Sequence, residues 1–396
     1  MGVLDTRLEL RIWDGYAKGT LFDVLTDHVN SLSFSTSLHG GFKECRFGLP
    51  LDLGKSWLYL SRENLKGRHF AHVEVSQGDD VVWEGRVSEV TLVLGQSGGL
   101  EVLALGYWSS CRDQYYDAAD SGNTNWASGG PHTVDDIIKE MLTNECPDIS
   151  TDQSNIGAPT TNVVGIVLTD RDYPMNIILE KLAPLVDSGD SPWFFAIWEG
   201  RVPYFTERVV SDPVDWMIWL ADTRDLRLTQ SALNLRNTVL PVVGSTEGTA
   251  ASNADSQSLY PTREVILSLP ATVSATVANQ ARDAALTERN LPRQTSSVTI
   301  NGLVSSTHVV RGVAVSGARV QRELWWVRAG DIIRITDLVP FSASTPTLDD
   351  LRTFFIMETH YDAVSNELRV QPDRPGSDLA AILARLNLIE RSKSLG

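Results

Sequence analysis

Cysteine is scarce: Cys45, Cys111 and Cys146 are the only three in 396 residues, odd in number and far apart. Neither a disulfide framework nor a CxxC zinc or redox site can be written with them, so buried thiols are expected. Basic residues are also in deficit, 34 against 50 acidic ones, which leaves a formal charge of −16. Such a chain repels phosphate backbones and anionic lipid surfaces, which argues against nucleic-acid readout. No apolar stretch approaches the roughly 18 residues of a membrane span. The opening MGVLDTRLELRIW lacks the basic-then-apolar layout of a secretion signal, and a soluble protein made in a cytoplasm is expected.

Chemical motifs are missing too. There is no P-loop, no GxGxxG after a strand, no HExxH, no GxSxG elbow and no calcium loop. His69 and His72 form an HxxH pair in a strand-like context without a nearby third ligand, and a structural or surface role is expected for them. With 50 carboxylates a glycosidase-like pair can always be proposed, but sequence does not measure their separation. No catalytic residue, cofactor or metal ligand is assigned.

Hydrophobic residues make up 42% and charged residues 21%, the usage of an ordinary globular chain long enough for two or three domains. Strand signals dominate the first hundred residues. Leu8, Leu10 and Ile12 alternate with Arg7, Glu9 and Arg11, and Val81, Trp83 and Val87 stand out from Glu84, Arg86 and Ser88 before a glycine-rich turn at 95–99 and a further strand at 100–107. A change follows near Asp117. Thr133 is a natural N-cap, and Val134, Ile137, Ile138, Met141 and Leu142 form one apolar helical stripe. A second helix is expected after Asp172, carrying Met175, Ile178, Leu179 and Leu182 and ending near Pro184. The runs 194–198 and 201–205 flank Glu199-Gly200 as a two-residue β-hairpin connection.

The segment GSTEGTAASNADSQS is too polar to bury its own surface and is expected to be a linker or mobile loop at 244–258. A strand at 264–269, an alanine-rich helix at 272–289 and strands at 297–304, 331–336, 354–360 and 366–371 follow. After Pro375-Gly376, Ser377 caps a last helix with Leu379, Ile382, Leu383, Leu386 and Ile389 on one face, which either folds back on its own domain or docks on a neighbouring chain. Tryptophan is unusually frequent, with 11 residues. Trp83 and Trp198 sit in apolar strand runs and are expected in the core. Adjacent Trp325 and Trp326 point to opposite faces of any strand, so one of the pair is a candidate partner contact, with Leu379, Ile382, Leu383, Leu386 and Ile389.

The order of parts resembles the tail hub proteins, also called baseplate hub or tail-associated proteins, of tailed bacteriophages. The resemblance lies in VVWEGRV followed by LEVLALGYWSSCRDQ, in LRLTQSALNLRNTVLPVVG, in the alanine-rich helix, in WVRAGDIIRITD and in FFIMETHYDAVSNELRVQPDRPGSD. It implies a mainly β chain with α+β insertions and two tail-tube-like β-barrel domains. The boundaries drawn on it are a first barrel at 1–116, an α+β middle domain at 117–225, a second barrel at 226–376 and the C-terminal helix at 377–396. It further implies a non-enzymatic virion protein at the tail tip, assembled in the host cytoplasm as a homotrimer. Six quasi-equivalent barrels would then face a sixfold tube. Implied partners are a tail tube or distal tail protein, tip or fibre proteins, a tape-measure protein, and phage DNA passing without specific binding. The alternatives are a hexameric distal tail ring and a carbohydrate-binding or carbohydrate-cleaving tip protein.

Overall fold

The alternation read at the start of the chain is realised in strand β1 (Glu9–Trp13), where Leu10 and Ile12 are buried and Glu9 and Arg11 half-buried. The computed structural model describes residues 8–13, 18–50, 71–94, 98–117, 126, 132–157, 159, 162–163, 168, 171–186, 193–207, 214–231, 233–269, 275–290, 293–301, 303–306, 320–336 and 353–373. His69 and the expected C-terminal helix, with Leu379, Ile382, Leu383, Leu386 and Ile389, lie outside the described residues.

β2 (Leu21–Val24), β3 (Ser31–Ser37), β4 (Gly40–Pro50), β5 (His72–Gln77), β6 (Asp80–Val93) and β7 (Gly99–Leu105) join β1 in an antiparallel sheet of order β2-β1-β5-β6-β7-β4-β3. The β6–β7 hairpin is the one expected from sequence. Leu10, Val73, Val75, Trp83 and Ala104 project from this sheet into the largest core of the molecule.

The two-residue strands β8 (His132–Thr133) and β9 (Asn162–Val163) pair beside helix α1 (Val134–Glu145). All five residues of the α1 stripe are buried. Helix α2 runs through Pro174–Asn176, a π-helical turn Ile177–Leu182 and Ala183–Val186. It therefore continues past Pro184 instead of stopping there. The π turn widens the ladder just ahead of the proline, where its ring would otherwise meet the carbonyl four residues back.

β10 (Trp193–Trp198) and β11 (Val202–Glu207) form the expected hairpin, with a three-residue connection in place of the two-residue one. Gly200 and Arg201 both adopt positive φ there. β10 is buried on both faces. Phe195 and Ile197 pack with α1 and α2 in a second core, and Phe194, Ala196 and Trp198 face the main core, which is why WFFAIW reads as a continuous apolar run.

Beyond this hairpin lie β12 (Trp216–Trp219), β13 (Thr223–Ser231), β14 (Thr238–Val243), β15 (Thr246–Glu247), β16 (Ala251–Ser252), α3 (Ala254–Leu259), β17 (Glu264–Leu269), α4 (Ala275–Arg289), β18 (Arg293–Asn301), β19 (Leu303–Ser306), β20 (Val320–Glu323), β21 (Ile332–Thr336), β22 (Thr353–Asp362) and β23 (Glu367–Asp373). β13, β18, β23 and β22 pair antiparallel in that order. The first residues of β22 also pair with β21, which runs parallel to β12, and β12 leads on to β19 and β20. The last residues of β22 pair with β3, from Glu358↔Ser37 to Asp362↔Ser33. One strand thus fuses the early and late sheets, and both share one core. The fold is mainly β with α+β insertions. No pairing among the described residues closes either sheet into a complete barrel.

An insert lies between the paired strands β13 and β18. In it β14 and β17 run parallel, and Val239, Leu267 and Leu269 pack on Ala278, Ala281 and Ala285 of α4. The run 238–243, expected in the second barrel, belongs to this separate small sheet. The polar segment 244–258 is likewise folded rather than a free linker, because polar groups supply what apolar area does not. Asn253 accepts the Ser256 N–H as the N-cap of α3, and Gly248 N–H donates to Pro241 O.

Candidate functional site

The β10–β11 hairpin is wedged between the early and late sheets, and two contacts hold it. Ala196 and Ile197 of β10 pair in parallel with Gly40 and Gly41 of β4. Gly41 has φ +80°, and a Cβ there would drive into the backbone of Ile197. Only glycine allows this approach. From the late sheet, buried Arg328 donates through Nη1 to Glu199 Oε2 at 2.6 Å and through Nη2 to Val81 O at 3.0 Å, with its guanidinium over the rings of Phe42 and Trp198. One side chain therefore touches the late sheet, the hairpin and the early sheet. Within the early region, Arg86 of β6 ties the sheet to the turn after β7 through a bidentate pair with Asp113, at 2.5 and 2.9 Å, and a bond from Nε to Ser109 at 3.0 Å. A cavity of about 250 Å³ beside it is lined by Arg86, Asp113, Glu145, Pro147 and Asp148.

A buried polar cluster lies at the tip of the same hairpin. His72 and Glu74 share one face of β5, and Glu84 stands directly opposite Glu74 on β6. Their relative exposures are 1%, 1% and 2%. His72 Nδ1 and Tyr107 Oη are 2.7 Å apart, fixing the ring. His72 Nε2 lies 3.0 Å from Glu74 Oε1 without hydrogen-bond alignment. Lys18 pairs with Glu74 Oε1, and Trp13 Nε1 donates to Glu74 Oε2 at 3.2 Å. Glu84 Oε1 accepts the backbone N–H of Arg201 at 2.6 Å.

Burial pushes Glu84 up to about 7, only partly opposed by backbone hydrogen bonds at the hairpin tip. Glu74 pays the same desolvation, but His72 and Lys18 outweigh it and hold the carboxyl down at about 2. Burial also lowers His72, against the pull of Glu74. Of the two facing carboxyls, burial thus favours the protonated form of Glu84, and His72 and Lys18 favour the ionised form of Glu74. Sequence reasoning saw His72 and Glu84 but did not connect them. The available signal was His72-x-Glu74, two donors on one strand face.

The tryptophans resolve differently from expectation. Leu324–Trp326 is a 3-10 turn and not a strand, so Trp325 and Trp326 do not diverge to opposite faces. Both indoles donate to Gln77 Oε1, at 3.2 and 3.0 Å, with Trp325 in the core and Trp326 half-buried. Trp83 and Trp198 are in the core, as expected. Among the described tryptophans Trp219 alone is exposed, at 40%. Cys45, Cys111 and Cys146 are buried free thiols.

Two solved structures are similar to this fold over most of their length. A 43 kDa tail protein of prophage MuSo2 from Shewanella oneidensis aligns over 96% of this chain and 98% of its own, with a TM-score of 0.58 and 12% identity. A tail protein from Neisseria meningitidis MC58 aligns over 92% and 96%, with a TM-score of 0.58 and 10% identity. The chain shares its fold with these two tail proteins. At such identities the likeness is carried by topology, and accordingly no family model and no curated protein matches the sequence.

Proposed function

We propose that this chain is a structural, non-enzymatic component of a phage-type tail: a hub subunit that forms a homotrimeric ring at the tail tip and joins it to the tube. The observation that carries this reading is the fusion of two β-sheets within one chain through β22, in a fold matched over nearly its whole length by tail proteins. Two such sheets per subunit allow three subunits to offer six related surfaces to a sixfold tube. The Arg328 and Gly41 ties then have a mechanical purpose, since a ring under load needs its two sheets held at a fixed angle.

In this reading the partners are a tail tube or distal tail protein on one side, tip or fibre proteins on the other, and a tape-measure protein within. Genome DNA passes through without specific binding, because a lumen lined by the excess of Asp and Glu offers no counterion-releasing contacts. Leu383 and Leu386 of the C-terminal segment, with Trp326, supply contacts between chains. Cryo-electron microscopy of the intact particle tests the proposal. Three copies around the axis and an acidic channel wall support it, and a ring of six single-sheet contributions or a basic wall contradicts it.

A further inference from the structure

The buried cluster beside the hairpin tip supports a reading that does not depend on the hub assignment. We propose that His72, Glu74 and Glu84 form a binding site for a divalent transition-metal ion of the zinc class. One imidazole nitrogen and two carboxylate oxygens all lie within 4.8 Å of one another. This is the nitrogen-and-oxygen donor set that zinc accepts.

Three further features point the same way. Glu74 and Glu84 are cross-strand neighbours and both buried, an arrangement that is destabilising unless positive charge lies between them. His72 Nε2 is buried and makes no hydrogen bond, while Nδ1 is held by Tyr107. A ligating histidine is oriented in this manner, with one nitrogen anchored and the other directed at the ion. Lys18 supplies a route of entry: its side chain is 42% exposed, it reaches Glu74 from solvent, and its ammonium rests 4.9 Å from the Trp13 ring centroid.

Charge balances on exchange. Lys18 withdraws to solvent, Glu84 gives up its proton to solvent, and the two carboxylates neutralise the dication beside a neutral imidazole. Because Glu84 also accepts the Arg201 N–H, the ion would lock the early sheet to the hairpin.

The test uses the chelator-treated full chain, titrated with zinc by calorimetry and with cobalt by visible absorption. One ion per chain is expected, with a cobalt spectrum of low coordination number. His72→Gln should abolish binding, Tyr107→Phe should weaken it about tenfold through loss of the orienting contact, and Lys18→Met should tighten it by removing the competing ammonium. Circular dichroism checks the fold of each variant. Lack of saturable binding by the native chain overturns the proposal, as does affinity unchanged by both His72→Gln and Lys18→Met. If His72→Gln does not fold, the native titration and Lys18→Met decide.

Discussion

Arg328 and Glu199 meet at 2.6 Å across the junction of the late sheet and the β10–β11 hairpin, and the Arg328 guanidinium lies 5.2 Å from the ring centroid of the adjacent Trp198. Arg328 is 3% exposed, while the Glu199 carboxylate is 40% exposed. The pair is therefore a buried cation reaching toward solvent and not a sealed ion pair. Its strength lies in what else the guanidinium does, donating to Val81 O and covering Phe42.

Arg328→Ala should destabilise the chain by about 2–3 kcal/mol, from lost charged hydrogen bonds and lost packing on two aromatic rings. Glu199→Ala should cost much less, since its carboxylate is screened by water. Urea midpoints of the two variants check this asymmetry. Equal losses would mean that the ion pair itself, and not the buried guanidinium, holds the joint.

Gly41→Ala should be among the most damaging single-methyl changes in the molecule. Backbone strain at positive φ costs about 1–2 kcal/mol, and the clash with Ile197 adds to it. Gly78 is the control, because it has φ +63° but nothing within 4 Å of an added Cβ. Thermal denaturation should show a clearly larger drop for Gly41→Ala than for Gly78→Ala. Similar drops would remove the close approach of β4 and β10 from the account.

Glu84 gives a signed pH dependence. Its folded-state value of about 7 lies above the ordinary 4.5, so the folded chain retains a proton that the unfolded chain has lost. This contribution to stability is complete below about 4.5 and disappears as pH rises to about 7. Glu84→Gln still accepts the Arg201 N–H but has no proton to lose. In chelator, its stability relative to the native chain should rise between pH 4.5 and 7 and level off above. Denaturant midpoints across that range read the trend, and a constant difference would mean that Glu84 is not held protonated. Glu74 acts in the opposite direction, its contribution being lost as pH falls from 4.5 toward 2.

Local periodicity made much of this fold legible. The α1 stripe at Val134, Ile137, Ile138, Met141 and Leu142, the β6–β7 hairpin and α4 all follow from residue spacing, because each is stabilised by its own neighbours in sequence. The β3–β22 ladder is not written in any local pattern, since Ser33 and Asp362 are brought together only by the finished fold. The polar segment 244–258 misled because its order comes from the Asn253 cap and backbone hydrogen bonds, which hydropathy does not register. The cluster was half visible: His72 and Glu74 share a strand face, but pairing Glu74 with Glu84 requires the β5–β6 register, and a one-residue slip would turn Glu84 away.

The ring stoichiometry of the purified full chain tests the central claim most directly. Native mass spectrometry, with protein concentration varied to separate assembly from nonspecific association, should return a species of three chains. A hexamer, or a monomer that does not assemble at any concentration, would contradict the trimeric hub.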